Sequence, residues 1–163
     1  MVSHYHSKIE KGIRLAGEEL IRQKKVKKIF KGNQKALSII DSDSKSVVNY
    51  QPDVYFILRN NKKLIFEVLD SEEQKQDIII ADVIRSFLIE NVNALIFVYS
   101  GDKDVEKRIM EALITISKGL ISKGLPQEEI PFDKSGSLAI TKQEAKSLEN
   151  IKDKIISFIS QKS

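Results

Sequence analysis

The stretch that most constrains this chain is Gln51 to Glu73, QPDVYFILRNNKKLIFEVLDSEE. Two apolar runs rich in β-branched and aromatic residues flank the polar pair Asn60-Asn61, which is the pattern of a β-hairpin. Asp53 opens the first strand behind Pro52, and Glu67 stands inside the second, within Leu64-Ile65-Phe66-Glu67-Val68-Leu69. A carboxylate in such a run is costly to bury without compensation, and a bound cation is one form of compensation. The plain alternative is an ordinary hairpin with Asp53 at a strand start and Glu67 paired to a lysine. Loop length decides between the two. A two-residue turn at Asn60-Asn61 pairs 54 with 67 and sends Asp53 to the opposite face, whereas a three-residue loop or a bulge gives Asp53 and Glu67 the same face.

The surrounding chain supplies the frame. Ile9, Ile13, Ala16 and Leu20 form one stripe of a first helix over Ser7 to Lys25, with Ser7 and Glu10 in capping-box spacing. A short strand follows over Lys35 to Ile40, then strands over Val47 to Leu58 and Lys63 to Leu69. Ser71 to Gln74 is a second capping-box pattern, opening a helix that runs to about Asn91 with Ile80, Ile84, Phe87 and Leu88 as its main stripe and Ile78, Ile79 and Val83 broadening it. Ala94 to Tyr99 is a continuous apolar run, as expected of a strand covered on both faces. A third helix carries Val105, Ile109, Leu113, Ile116 and Leu120. A last strand lies at Ser137 to Thr141, and a terminal amphipathic helix over Gln143 to Gln161. The order α-β-β-β-α-β-α-β-α predicts an α/β fold, a central mixed sheet flanked by helices on both faces.

Composition narrows the class. With 163 residues, 41% hydrophobic and 31% charged, the chain reads as one globular domain over 1–163. No window approaches the length of a membrane span, and the N-terminus lacks the apolar core of a signal peptide, so a cytoplasmic protein is expected. The absence of cysteine excludes disulfides, thiolate metal sites and cysteine nucleophiles. No histidine follows His6 to serve as a hydrolase base, and P-loop and dinucleotide glycine patterns are missing. His4 and His6 read as terminal residues rather than zinc ligands. Asp41-Ser42-Asp43 reads as a polar turn, since no later paired aspartates complete a phosphatase site. The net charge of +4 is concentrated in Arg22 to Lys31, RQKKVKKIFK. Lys24, Lys25, Lys27 and Lys28 are its candidate phosphate contacts, against the reading of a solvated helix end.

Helix, strand, Pro-Asp strand, acidic strand, helix, strand resembles the PD-(D/E)xK nuclease superfamily, which includes restriction endonucleases and archaeal Holliday-junction resolvases. Pro52-Asp53 matches its PD, and Glu67-Val68-Leu69 falls where (D/E)xK belongs. The resemblance covers about residues 5 to 100 and implies a restriction-endonuclease-like fold. It also implies hydrolysis of DNA by a Mg²⁺- or Mn²⁺-dependent site with Asp53 and Glu67 as ligands, Glu10 as a further acid from the first helix (Glu18 behind it), and a homodimer as in resolvases. The motif lysine, which positions or activates water in the family, is replaced by Leu69. Lys75 at the start of the second helix is the preferred substitute; Lys63 lies about 13 Å back along the strand. Asp70 is assigned to capping with Ser71. A catalytically degenerate nuclease-fold domain that binds nucleic acid or protein is the alternative.

Overall fold

A computed structural model describes residues 3–40, 43, 46–70 and 76–162, with the backbone alone at 40 and 46–48. The elements are α1 (His4–Arg22), β1 (Val26–Lys31), β2 (Leu37–Ile40), β3 (Ser46–Tyr50), β4 (Val54–Leu58), β5 (Lys63–Val68), α2 (Gln76–Leu88), β6 (Val92–Tyr99), α3 (Lys103–Ser122), β7 (Gly136–Ala139) and α4 (Leu148–Lys162). Five strands form one mixed sheet in the order β1-β4-β5-β6-β7. β1, β4 and β5 are antiparallel neighbours, while β5, β6 and β7 run parallel. The fold is therefore α/β, as the alternation of apolar strands and amphipathic helices requires.

Two apolar layers sandwich the sheet. Ile9, Ile13 and Leu20 of α1 and Ile151 and Ile155 of α4 cover Val54, Phe56, Phe66 and Ile96 on one face. Ile79 and Val83 of α2 and Ile109 and Leu113 of α3 cover Tyr55, Ile65, Leu95 and Phe97 on the other. Strands buried on both faces explain the unbroken apolar spelling of β6. Among the described residues no helix is long and apolar enough to cross a membrane.

The elements differ from the sequence reading in five places. α4 starts at Leu148 rather than Gln143, behind a separate 3-10 turn over Glu144–Lys146. Val26–Lys31 is an edge strand, not the tail of α1; its lysines suit an edge, where charge discourages pairing with another chain. The predicted strand 47–58 is two strands. Pro52, which has no N–H for a ladder, sits in the break, and β3 pairs with β2 in a separate two-stranded sheet. The strand before Asp41 is thus not central, which removes the phosphatase arrangement; Asp41 and Ser42 lie outside the described residues, and Asp43 is an exposed turn residue. The stripe of α2 is Ile79, Asp82, Val83, Ser86 and Phe87, while Ile78, Ile84 and Leu88 are exposed. Finally, α1 begins at His4, where the Ser3 side chain accepts from the His6 N–H at 3.1 Å. Ser7 is therefore inside the helix and caps nothing.

The hairpin register fixes the geometry left open by the sequence. Val54 pairs with Phe66, Tyr55 with Ile65, Phe56 with Leu64 and Ile57 with Lys63. The ladder closes at Leu58, whose N–H donates to the Lys62 carbonyl at 2.8 Å, leaving a three-residue loop, Arg59-Asn60-Asn61. Asn61 takes the left-handed conformation, φ 68°, that such a loop demands at its last position. Asn61→Val is expected to cost about 1–2 kcal/mol and Asn61→Gly almost nothing, measured by chemical denaturation. Continued one step, the same register sets Asp53 opposite Glu67 on one face.

Candidate metal centre

The open end of the β4–β5 pair carries the candidate centre. The Asp53 N–H donates to Glu67 Oε1 at 2.8 Å, and the Val68 N–H donates to Asp53 Oδ2 at 2.7 Å. The two acidic residues thus lock each other's backbones, which fixes the Asp53 carboxylate and leaves Oδ1 facing α1. There His6 Nε2 lies 3.1 Å from Asp53 Oδ1 and 3.1 Å from Glu10 Oε2. One donor atom from each of His6, Glu10 and Asp53 lies within 4.8 Å of the others, and all three side chains are half-buried. Helix α1 presents His6 and Glu10 side by side because they are four residues apart. Lys31, at the end of β1, brings its amine to 3.8 Å from Glu10 Oε1.

The electrostatics follow from these contacts. The hydrogen bond to Asp53 raises the His6 pKa, with added pull from the Asp53 and Glu10 charges, against a lowering by burial. The imidazolium so favoured stands between two carboxylates, where a cation of another kind would also be satisfied.

Glu67 lies behind this cluster. It is 8% exposed and its carboxyl meets Asp82 of α2 in a hydrogen bond. Burial pushes its pKa well above the ordinary carboxylate range, and the charges of Asp82 and Asp53 push the same way. The Asp82 pKa is also raised, chiefly by burial, with Glu67 and Arg85 as hydrogen-bond donors opposing that rise. Burial thus favours a proton on this pair, and Arg85 Nη2 reaches Asp82 Oδ1 at 2.8 Å. Tyr50, 2% exposed and bonded to Ser86 Oγ at 3.1 Å, completes this buried polar group.

Of the residues chosen from sequence, Glu10 and Asp53 come together directly, and Glu67 joins them through the Asp53 backbone. Glu67 is not among the three clustered donors. Lys75 and the Ser71–Gln74 cap lie outside the described residues. Lys63 is spent elsewhere, its amine donating to the Glu90 carbonyl at 2.8 Å. Leu69 is buried at 4% in the core under α2, so the position of the motif lysine belongs to packing. Glu18 is exposed on α1, away from the cluster. The Lys24–Lys28 run lies at the other end of the sheet. Val26 pairs with Leu58 while Lys31 pairs with Val54, which separates Val26 from the centre by about 17 Å of strand. Lys27 there donates to Asn61 Oδ1 at 2.7 Å.

Three participants escape the sequence reading. His6 is set aside as a terminal residue, whereas the Ser3 cap holds it in the first turn of α1. Asp82 does carry a signal, a lone acid in the stripe Ile79-Asp82-Val83-Ser86. Lys31 is hidden in the basic run. Comparisons with protein-family models, curated proteins and solved structures give no significant match, so the centre stands on its own geometry.

Proposed function

We propose that this protein is a metal-dependent nuclease that hydrolyses DNA phosphodiester bonds on a restriction-endonuclease-like fold. The observation that carries the reading is the three-residue hairpin loop, because it gives Asp53 and Glu67 a common face at the strand end where Glu10 and His6 arrive from α1. The carboxylate oxygens of Asp53 and Glu10 and one imidazole nitrogen of His6 form a donor set that fits Mg²⁺ or Mn²⁺, and the imidazole favours Mn²⁺. When bound, such an ion supplies Lewis-acid stabilisation of phosphate charge and an acidified water.

The chain's own residues do the rest. The Val68 N–H holds one Asp53 oxygen so that the other faces His6 and Glu10. Glu67 anchors the Asp53 backbone and contributes a second acidic group once its proton is lost. Lys31 takes the place of the missing motif lysine, offering an ammonium beside Glu10 that can orient a phosphate oxygen or a water. Nicking of supercoiled plasmid DNA tests the proposal: Mn²⁺ or Mg²⁺ should support cleavage by the wild-type chain and not by Asp53→Ala.

The second reading, a degenerate domain that binds nucleic acid without cutting it, is favoured by Leu69 in the core and by the proton held between Glu67 and Asp82. DNA binding with no cleavage under either ion would leave that reading standing.

A further inference from the structure

The solvent side of α1 carries a feature that the motif does not touch. A concavity of about 390 Å³ opens beside the metal centre, and Lys8, Lys11, Arg14 and Lys31 line it together with Glu10. Glu10 is its only carboxylate among the described residues, and the same side chain belongs to the His6–Glu10–Asp53 cluster. The concavity therefore adjoins the centre at Glu10, and its other charged walls are cationic.

Lys31 is paired with Glu10 at 3.8 Å, whereas Lys8, Lys11 and Arg14 are not committed to acids. Among the described residues, no ion pair joins Lys8, Lys11 or Arg14 to a carboxylate. Lys8 uses one proton on the Lys146 carbonyl at 3.0 Å and keeps the others. Leu148, the first residue of α4, also lines the hollow. From Lys8 to Arg14 the helix advances about 9 Å, the axial span of two to three phosphates on one strand of duplex DNA at about 3.4 Å each. The longer basic run, equally without carboxylate partners among the described residues, fails on location. Lys24, Lys25, Lys27 and Lys28 sit at the far end of the sheet, and Lys25 faces a different hollow.

We infer that Lys8, Lys11 and Arg14 of α1, with Lys31, hold the phosphate backbone of duplex DNA and lead it to the His6–Glu10–Asp53 centre, and that the Lys24–Lys28 run does not. The identity of the polyanion rests on the nuclease reading; the location of the binding surface does not.

The test is fluorescence anisotropy with a short fluorescein-labelled DNA duplex across a salt series, in EDTA so that nothing is cut. Two variants are compared, Lys8→Gln/Lys11→Gln/Arg14→Gln and Lys24→Gln/Lys25→Gln/Lys27→Gln/Lys28→Gln. The second removes more charge, so a general loss of positive potential would weaken it more. The triple variant should bind at least about tenfold more weakly at 0.1 M salt, with a log–log salt slope shallower by about 2.7, which is 0.9 for each phosphate no longer neutralised. The quadruple variant should stay within about threefold of wild type. Lys11→Gln alone, at an exposed site that folding does not need, should flatten the slope by about 0.9. A triple variant within threefold of wild type, a quadruple variant that weakens as much or more, or a wild-type chain that does not bind the duplex overturns the inference. A chain that binds through α1 yet never cleaves with Mn²⁺ or Mg²⁺ overturns the nuclease reading and leaves the α1 surface standing.

Discussion

Glu67→Gln should lower metal-dependent cleavage roughly 10²- to 10³-fold, the usual cost of removing one preorganised charge-stabilising group, and at the same time make the protein more stable. The two effects share one cause. Glu67 is buried against Asp82 and Asp53, and its raised pKa records how poorly the site tolerates a second negative charge. Glutamine keeps the oxygen that accepts the Asp53 N–H and offers Asp82 an amide donor, with no ionisation to suppress. The sign of the pH dependence follows. Because the folded-state pKa values of Glu67 and Asp82 lie above their unfolded values, the native chain binds more protons than the unfolded one. Stability therefore falls as pH rises from the ordinary carboxylate range through the raised values of the pair. In Glu67→Gln that decline should shrink, leaving the variant more stable than wild type at pH 7. Melting curves against pH, in EDTA, measure it; a variant that melts below wild type at pH 7 refutes the buried-proton account. In a degenerate domain the stability gain would persist with no cleavage to lose.

Gly32→Ala is the second large effect. Gly32 follows the last residue of β1, and its N–H donates to the Pro52 carbonyl at 2.9 Å. A methyl group there would lie 2.1 Å from Pro52 O and 2.5 Å from Gln51 C. Both are backbone atoms, so no side chain can swing aside, and the segment that presents Asp53 must move. Overpacking of this kind costs about 3 kcal/mol, which for a chain of this size lowers the melting temperature by roughly 6–12 °C. Cleavage should fall further than stability, because a displacement of about 1 Å at a reacting centre costs on the order of 10²-fold. Thermal melts and the plasmid assay on the same preparation separate the two losses. A variant with wild-type melting and wild-type cleavage would show that the 51–53 segment yields freely.

Where the sequence is legible, one local rule dominates. The apolar run of β6 and the stripe of α3 can be read directly because burial leaves little room for other residue types. The hairpin is half legible: its strands are clear, but its face assignment hangs on one residue of loop length that Asn60-Asn61 does not spell out. The basic run misleads because lysines on an edge strand and lysines at a helix end look alike in one dimension. His6 is lost by reading it as part of a loose terminus when Ser3 already caps α1 ahead of it. The stripe of α2 is misjudged because Ile78, Ile84 and Leu88 are apolar yet exposed, while the buried face spends positions on Asp82 and Ser86. That face is the one that meets Glu67, so the error in the stripe and the missed acid are the same error.

The hairpin loop has a consequence for how this chain can vary. It sits about 17 Å of strand away from Asp53 and touches no group of the centre. What keeps the acids facing one another is the pairing of Leu58 with Lys62 at its base, so residues added within the loop lengthen it and leave that pairing in place. A slip of β4 against β5 by one residue does the opposite: it turns Asp53 and Glu67 to opposite sides and exchanges the buried faces of the whole strand. In a set of related chains, this loop should therefore vary freely in length while the two strands keep their register wherever the acidic pair is kept.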